Sequence, residues 1–449
     1  MRALLPESLL RLADNCPTAL YVVGGSVRDF LAKLTPKTGA FDLDICAPLN
    51  AETFACVALQ CGFTVRSIFK NTGTVKLKDA QGVELEYSCF RSDKYVRGTH
   101  VPVETHFTDD IALDARRRDF TANAVYYHMQ TQSFVDPLGG IPAIKEKRLT
   151  TVAPAKKVFS EDGLRLMRLA RQAAMLGFVP DEECLQGAKE NAQLICDISP
   201  ERIYTELISI LHADEKYGVQ YGQYTGLTLL SQTGVLDYIL PELTKGRNLL
   251  QRTDFHSYDV LEHSLRAVRY AHPDIRLAAL LHDVGKPLCA QRDGNSFAHP
   301  EEGATLTKQI LQRLKAPKQT IAQTAELVAW HMYDFNCQTK ENKLRRFFVA
   351  HYPLLSDLLL LKQADFSACK DDLSPAPTCV RWQNLLQTLR KERAPLCLKE
   401  LAISGNDLHK ANCPPAKISQ VLQQLLLHAV CNPADNTKNR LLKLAKAYF

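Results

Sequence analysis

No stretch of this 449-residue chain approaches the roughly twenty uninterrupted apolar residues that a membrane-spanning helix needs. Its start, Met1-Arg-Ala-Leu-Leu-Pro6, lacks the basic segment, apolar run and small-residue cleavage site of an export leader. Both absences predict a cytoplasmic protein that makes no use of a membrane. The 14 cysteines include no Cys-x-x-Cys, which argues against a thiolate zinc site. A disulfide framework has no support in so long a chain, and reduced core cysteines are expected. Internal repeats and low-complexity tracts are absent too. A formal charge of +6 is too mild to point to nucleic acid by itself. Only local basic clusters could do so, and they occur at Arg116-Arg-Arg118, from Arg165 to Arg171 and close to the C-terminus.

What is present is a folded, multidomain chain, since 46% hydrophobic residues is ample for packed cores. Short apolar runs separated by turns predict strands at Ala19 to Val23, Phe41 to Cys46, Thr74 to Leu77, Val83 to Tyr87 and Ala124 to Tyr127. The Gly24-Gly25 break ends the first strand, and helical spacing follows from Ser26 to Leu34. From Ser160 onwards the pattern is helical, with Ser160-Glu-Asp-Gly163 resembling an N-terminal cap. Further helices are predicted over Pro200 to His212, Asp259 to Ala271, Arg276 to Val284, Gly303 to Leu314, Ile321 to Tyr333, Leu354 to Ala368, Cys379 to Glu392 and Ile418 to Val430. Ser374-Pro-Ala-Pro377 reads as a linker.

The most informative pair is Asp42 and Asp44 in Phe41-Asp-Leu-Asp-Ile45. On a strand, residues two apart share a face, so both carboxylates can hold divalent ions, and oxygen-only ligands suit Mg²⁺. An isolated Asp-x-Asp also occurs at turns and solvated strand ends, so its neighbours decide. Gly24-Gly25 lets backbone N–H groups approach an anion, with Arg28 one turn on to reach a triphosphate oxygen. Glu84-Leu-Glu86 is a second period-two acidic pair; Glu86 is the choice for a third carboxylate, against a solvated strand face. Arg116-Arg-Arg118-Asp119 sets guanidinium groups before an acid, suited to phosphate charge. Arg165, Arg168 and Arg171 recur every third residue and form a stripe on one helix face. Asp162 lies three before Arg165, so the two can sit side by side. Asp162 could accept from the amine of cytosine or adenine while Arg165 donates to the ring nitrogen beside it; uracil and guanine mismatch both. A simple surface ion pair is the competing reading.

In order, Gly24-Gly-Ser-Val-Arg-Asp29, Asp42-Leu-Asp44, Glu86…Phe90-Arg91, Arg117-Arg-Asp-Phe-Thr-Ala-Asn-Ala124, Asp136-Pro-Leu-Gly-Gly140, Glu161-Asp-x-x-Arg165 and Glu201-Arg-Ile203 resemble the bacterial class II tRNA nucleotidyltransferase and poly(A) polymerase family. The resemblance covers about residues 18 to 210. It implies an α+β fold: a nucleotidyltransferase head with a mixed sheet, then an all-α neck, body and tail. It also implies nucleotide contacts at Gly25, Arg28, Arg118, Asp162, Arg165, Arg168 and Arg171, and Mg²⁺ at Asp42 and Asp44, with Glu86 joining the catalytic set. The family reaction attacks the nucleotide α-phosphate with an RNA 3′-hydroxyl, releases pyrophosphate, and repeats to build the CCA end of tRNA. This chain departs from the family at Val96-Arg-Gly-Thr-His100, at Gly163 in place of proline and at Gln172 in place of phenylalanine.

Downstream, His263 precedes His282-Asp283-Val-Gly-Lys286, and Asp365 follows on a later helix. Taken singly, a core histidine with a satisfied hydrogen bond is the commoner case. As a set these residues resemble the HD superfamily of metal-dependent phosphohydrolases over about 255 to 370, with His263, His282, Asp283 and Asp365 as ligands and His299 and His331 as extra candidates. The resemblance admits a second divalent transition metal in the body. Leu401-Ala-Ile-Ser-Gly-Asn-Asp-Leu408 resembles the opening of a class II tail, whose terminal lysines and arginine at helical spacing suit the phosphates of a tRNA body.

The expectation is therefore a head over residues 1–150, a neck over 151–215, an HD-like body over 216–375 and a tail over 376–449. The enzyme would use CTP, ATP and tRNA, with no obligatory protein partner. Alternatives are a CC-adding, A-adding or poly(A)-polymerising relative, or a protein acting mainly as an HD phosphohydrolase.

Overall fold

The computed structural model describes residues 1–37, 43–94 and 103–448. It divides into two compact units, Met1–Thr244 with Gln312–Ala316, and Lys245–Leu311 with Pro317–Phe449.

The first unit opens with the expected mixed sheet. Its strands are β1 (Tyr21–Val23), β2 (Leu43–Ala47), β3 (Thr64–Phe69), β4 (Thr74–Lys78), β5 (Glu84–Cys89), β6 (Arg91–Lys94), β7 (Glu104–Phe107), β8 (Tyr126–His128) and β9 (Ser133–Val135). Seven of these form one sheet in the order β3-β4-β5-β2-β1-β8-β9, while β6 and β7 pair with each other. Neighbours run antiparallel except β2 and β5, which are parallel and set Asp44 opposite Glu86. Period-two alternation sorts the two faces: Leu43, Ile45, Leu85 and Tyr87 are buried, and Asp44 and Glu86 exposed. Helix Ala51–Gln60 covers the buried face, where Phe54 stacks on Tyr87 with ring centroids 3.6 Å apart. Asn50 starts that helix by accepting from the Thr53 N–H at 2.8 Å. On the other face Cys46 packs with Val23, Phe90, Ala115 and Tyr126, which leaves the Asp44 and Glu86 end open.

Gly24 turns the chain from β1 into helix Gly25–Leu31 with φ 80° and ψ −140°, a conformation nearly confined to glycine. A Cβ at Gly24 would also stand 3.1 Å from Asp44 Oδ2. The glycine therefore brings the turn and the acidic strand together.

Beyond the sheet the first unit is helical, apart from a short parallel pairing of Arg148–Leu149 with Val179–Pro180. Ser160 does not cap a helix as expected; it lies inside helix Ala155–Glu161 and donates to the Lys157 carbonyl at 2.8 Å. The break falls at Asp162, whose Oδ1 accepts from the Leu164 N–H at 2.9 Å and so opens the next helix, Leu164–Leu176. That helix packs against Pro200–Leu211 and Gly222–Gln232, with Leu166, Leu169, Ala170 and Ala173 in the core.

The second unit contains the helices that spacing predicts: Val260–Tyr270, Arg276–Leu281, His299–Arg313, Lys318–Trp330, Leu355–Lys370, Pro377–Lys391 and Ile418–Ala429. Ser374-Pro-Ala-Pro377 is a packed turn within this unit. Gln363 accepts from the Ala376 N–H at 2.8 Å and donates to the Ser374 carbonyl at 2.9 Å. Trp382 is fully buried beside Phe347 and Phe348, and a smaller core around Leu408, Leu425 and Leu441 closes the C-terminal helices. Among the described residues no helix is long and apolar enough to cross a membrane.

The Gly24 turn predicts that Gly24→Ala lowers stability by about 1–3 kcal/mol, read from urea unfolding of the full chain. Unchanged stability would show that the turn relaxes at no cost.

Candidate functional site

The strand-to-helix turn, the open sheet face and helix Leu164–Leu176 line one cavity of about 430 Å³. It gathers every predicted nucleotide contact, namely Gly25, Arg28, Arg118, Asp162, Arg165, Arg168 and Arg171, together with Asp44. Seven lysine and arginine side chains line it against four carboxylates, which makes it electropositive and suited to a polyphosphate. Asp42 and the Val96 to His100 segment lie outside the described residues.

Asp44 and Glu86 stand opposite each other on β2 and β5 and face the same side. Their exposed carboxylates are the donors a hard divalent cation takes. Lys76 approaches Glu86 Oε2 to 3.6 Å, an exposed pair of little energetic weight.

The arginines are held before any ligand arrives. Arg28 is buried and donates to Asp29 Oδ1 at 2.7 and 2.9 Å, to Asn123 Oδ1 at 2.7 Å and to Gln172 Oε1 at 2.9 Å. Gln172, which departs from the family pattern, thus supplies an acceptor that a phenylalanine would lack. Arg165 donates to the Val158 carbonyl at 3.0 Å, to Glu161 at 3.2 Å and to the Arg117 carbonyl at 2.7 Å, which fixes its guanidinium as one wall of the cavity beside Asp162. Arg168 donates to Asp119 Oδ2 at 2.6 and 2.8 Å. Burial opposes ionisation of Asp119, but the Arg168 charge and the Asn123 amide hold its carboxyl far below the usual range. Arg171 pairs with Glu206 at 2.7 Å, and its guanidinium pKa is pushed down by burial.

Sequence reasoning missed Asp114. This buried carboxylate accepts from Arg117 at 2.7 Å, Arg118 at 3.0 Å and the Tyr126 hydroxyl at 2.7 Å. Burial works against its charge, yet Arg118 and Arg117 bring its pKa down to about 2. The signal was available, because Asp114 stands three and four residues before the two arginines on helical spacing.

In the second unit the structure brings together all six histidine-cluster residues. His263 Nε2 lies 3.0 Å from Asp365 Oδ1, 3.1 Å from His282 Nε2 and 3.4 Å from Asp283 Oδ2. On the other side of the same carboxylate, Asp283 Oδ1 is 3.3 Å from His299 Nε2 and 3.7 Å from His331 Nε2. Asp283 therefore joins two donor groups, His263-His282-Asp365 and His299-His331.

The ring orientations are set by main-chain carbonyls three residues back: Ala279 for His282 at 2.8 Å, Ser296 for His299 at 2.6 Å and Val328 for His331 at 2.6 Å. A carbonyl only accepts, so each Nδ1 carries a hydrogen and each ring turns its Nε2 inward. His299 and His331 nevertheless bring their Nε2 atoms within 3.2 Å. Lone pairs converging on a carboxylate call for a cation, and imidazole with carboxylate suits a divalent transition metal. The same demand appears in the protonation balance. Burial opposes it, but Asp283 and Asp365 push His282 up to about 10, while burial pushes His331 down to about 4.

Two further lysines serve the cluster. Lys286 Nζ stands 2.6 Å from Asp283 Oδ2, and buried Lys362 donates to the His331 and Tyr333 carbonyls, each at 2.6 Å. At Gly285 a Cβ would meet the His299 carbonyl at 2.4 Å, so only glycine lets the two histidine segments approach.

Known proteins with these features fall in one group. Residues 20–150 match the poly A polymerase head domain, 177–246 the probable RNA and SrmB-binding site of polymerase A, and 254–351 the HD domain. The chain is 31% identical over 371 residues to an A-adding tRNA nucleotidyltransferase of Deinococcus radiodurans, covering 79% of this chain and 77% of that protein. It is 30% identical to a multifunctional CCA protein of Neisseria gonorrhoeae, covering 70% and 73%. The fold matches the Bacillus stearothermophilus CCA-adding enzyme solved with CTP at a TM-score of 0.66 and 21% identity, over 99% of this chain and 96% of that one. It also matches the Thermotoga maritima CCA-adding enzyme solved with tRNA, at a TM-score of 0.57 and 16% identity over 98% and 94%.

Asp114 generates a prediction about pH. Its carboxyl titrates near 3.9 when unfolded and at about 2 when folded. Its contribution is therefore complete above roughly pH 4 and is lost as the pH falls towards 2, an effect of about 2–3 kcal/mol. Unfolding free energies of the wild type and Asp114→Asn should converge over that window, and parallel curves would count against the assignment.

Proposed function

The chain belongs to the tRNA nucleotidyltransferase and poly(A) polymerase family, and we propose that it builds or restores the CCA end of tRNA from CTP and ATP. The supporting observation is the single cavity in which the glycine turn, Asp44 and the arginine helix converge. In the reaction the terminal 3′-hydroxyl of RNA bonds to the α-phosphorus, the bond to the β-phosphate oxygen breaks, and pyrophosphate leaves.

Each residue then has a task. The Gly25 N–H, at the start of its helix, receives phosphate oxygens. Arg118, Arg168 and Arg171 neutralise the triphosphate. Asp162 and Arg165 read the amine and ring nitrogen shared in pattern by cytosine and adenine. Arg28, already tied to Asn123 and Gln172, fixes the glycine turn against the arginine helix and forms part of the wall. Asp44 and Glu86, with Asp42, would hold Mg²⁺, which when bound supplies charge neutralisation and a lowered hydroxyl pKa.

We assign the head to residues 1–150, the neck to 151–215, the body to 216–375 and the tail to 376–449, with neck and tail gripping tRNA in the cytoplasm. An enzyme adding only A, like the Deinococcus radiodurans relative, would use the same cavity. Substrate range separates the two.

A second reading concerns the histidine cluster. We propose that it holds two divalent transition cations, one at His263, His282 and Asp365, one at His299 and His331, with Asp283 between them. The convergence of imidazole Nε2 atoms on the Asp283 carboxylate supports this. Such ions, when bound, polarise a phosphoryl oxygen and acidify water. A chain acting mainly as a phosphohydrolase is not favoured, because the cavity of the first unit gathers Asp44 with the arginines proposed to bind nucleotide.

With tRNA lacking its last three nucleotides, Mg²⁺, CTP and ATP, we expect C, C and A to be added in order. Asp44→Ala should abolish incorporation, and Arg165→Ala should relax discrimination against UTP and GTP. No incorporation by the wild type would sink the transferase reading, and A-only or C-only addition would select a partial enzyme. Elemental analysis of the chain loaded with Mn²⁺ or Ni²⁺ tests the cluster. His299→Ala should lose one of two bound ions and Asp283→Ala both, whereas unchanged content would refute the shared carboxylate.

A further inference from the structure

Among the cluster histidines, His263 alone has no main-chain acceptor behind it. The Nδ1 atoms of His282, His299 and His331 donate to carbonyls. The Nδ1 of His263 is buried without a hydrogen-bond partner among the described residues, on a side chain with no exposed surface. Burying a polar atom without a partner is unfavourable, and a bound ligand would relieve it.

Two residues that neither proposed site uses stand beside it. The His256 ring lies edge-on to His263 with centroids 4.9 Å apart, and its own Nδ1 is likewise buried and without a partner. Cys369 is a free thiol one helical turn beyond Asp365 on helix Leu355–Lys370. One donor atom from each of His256, His263 and Cys369 lies within 4.8 Å of the other two. His256 and Cys369 are partly exposed, so solvent reaches the group.

The donor set differs in kind from the cluster next to it. Two imidazoles and a sulfur, with no carboxylate, favour a thiophilic cation over Mg²⁺ or Mn²⁺. We propose that His256, His263 and Cys369 form a separate binding site for a thiophilic divalent cation of the Zn²⁺ type, adjoining the histidine cluster and sharing His263 with it. On binding, the Cys369 proton passes to solvent and the sulfur coordinates as thiolate. Three protein ligands leave a fourth tetrahedral position open to water or a phosphate oxygen. Because His263 serves both sides, loading this site withdraws that imidazole from the first position of the cluster. Zn²⁺ thereby competes with cluster loading without occupying the cluster itself.

The inference stands beside the cluster reading, and one titration distinguishes them. The full-length chain, stripped with a chelator, is titrated with Co²⁺ and followed by absorption. A sulfur-to-cobalt charge-transfer band in the near ultraviolet is expected. It should disappear in Cys369→Ser, weaken in His256→Gln and persist in Cys379→Ser and His299→Ala. Visible cobalt absorption from nitrogen and oxygen ligands reports the cluster in the same samples, and circular dichroism checks that each variant is folded. A wild type with no sulfur band, or a band untouched by Cys369→Ser, overturns the proposal even where the cluster binds cobalt. A band that survives unchanged in His256→Gln overturns the assignment of His256.

Discussion

The pair between Asp119 and Arg168 is the constraint on which the nucleotide cavity depends. The residues are 49 positions apart, one on the segment between β7 and β8 and the other on the arginine helix. Asp119 also accepts from the Asn123 amide at 2.9 Å, Asn123 accepts from Arg28, and Arg28 reaches Gln172, one turn beyond Arg168 on the same helix. These bonds close a ring that ties the glycine turn, the Asp119 segment and the arginine helix to one another. Linked bonds of this kind reinforce each other in a low-dielectric interior, and removing one leaves buried charge unmatched. The arginines are thus aimed before a nucleotide enters, which is what electrostatic preorganisation requires.

Much of this was legible in the chain. Alternation placed Asp44 and Glu86 on the exposed faces of their strands, though only the β2–β5 register brought the two together; arginines three apart placed the cavity wall, and apolar spacing located most helices within a few residues. What stayed hidden depended on partners far away in sequence. Ser160 looked like a cap, but its hydroxyl found the Lys157 carbonyl within its own helix, and Asp162 took the capping bond instead. Ser374-Pro-Ala-Pro377 looked like a linker because nothing local shows that Gln363 pins it from a preceding helix. Gln172 stood only as a departure from the family pattern, because no local signal shows that Arg28, 144 residues away, donates to it. Cysteine spacing argued against a thiolate zinc site, and spacing alone does not reveal that the fold brings Cys369 near His256 and His263.

The two metal-binding arrangements use backbone geometry in opposite ways. The pleat puts Asp44 and Glu86 each on the exposed face of its strand, and the parallel register of β2 with β5 sets them side by side. His282 and His331 instead follow directly on the last residues of helices, where unpaired carbonyls await a donor. Each Nδ1–H meets the carbonyl three residues back, and that bond turns Nε2 inward. Burial then makes converging lone pairs costly unless a cation sits among them. The open acidic strand face and the closed histidine cluster thus follow from strand pairing in the first unit and from helix ends in the second.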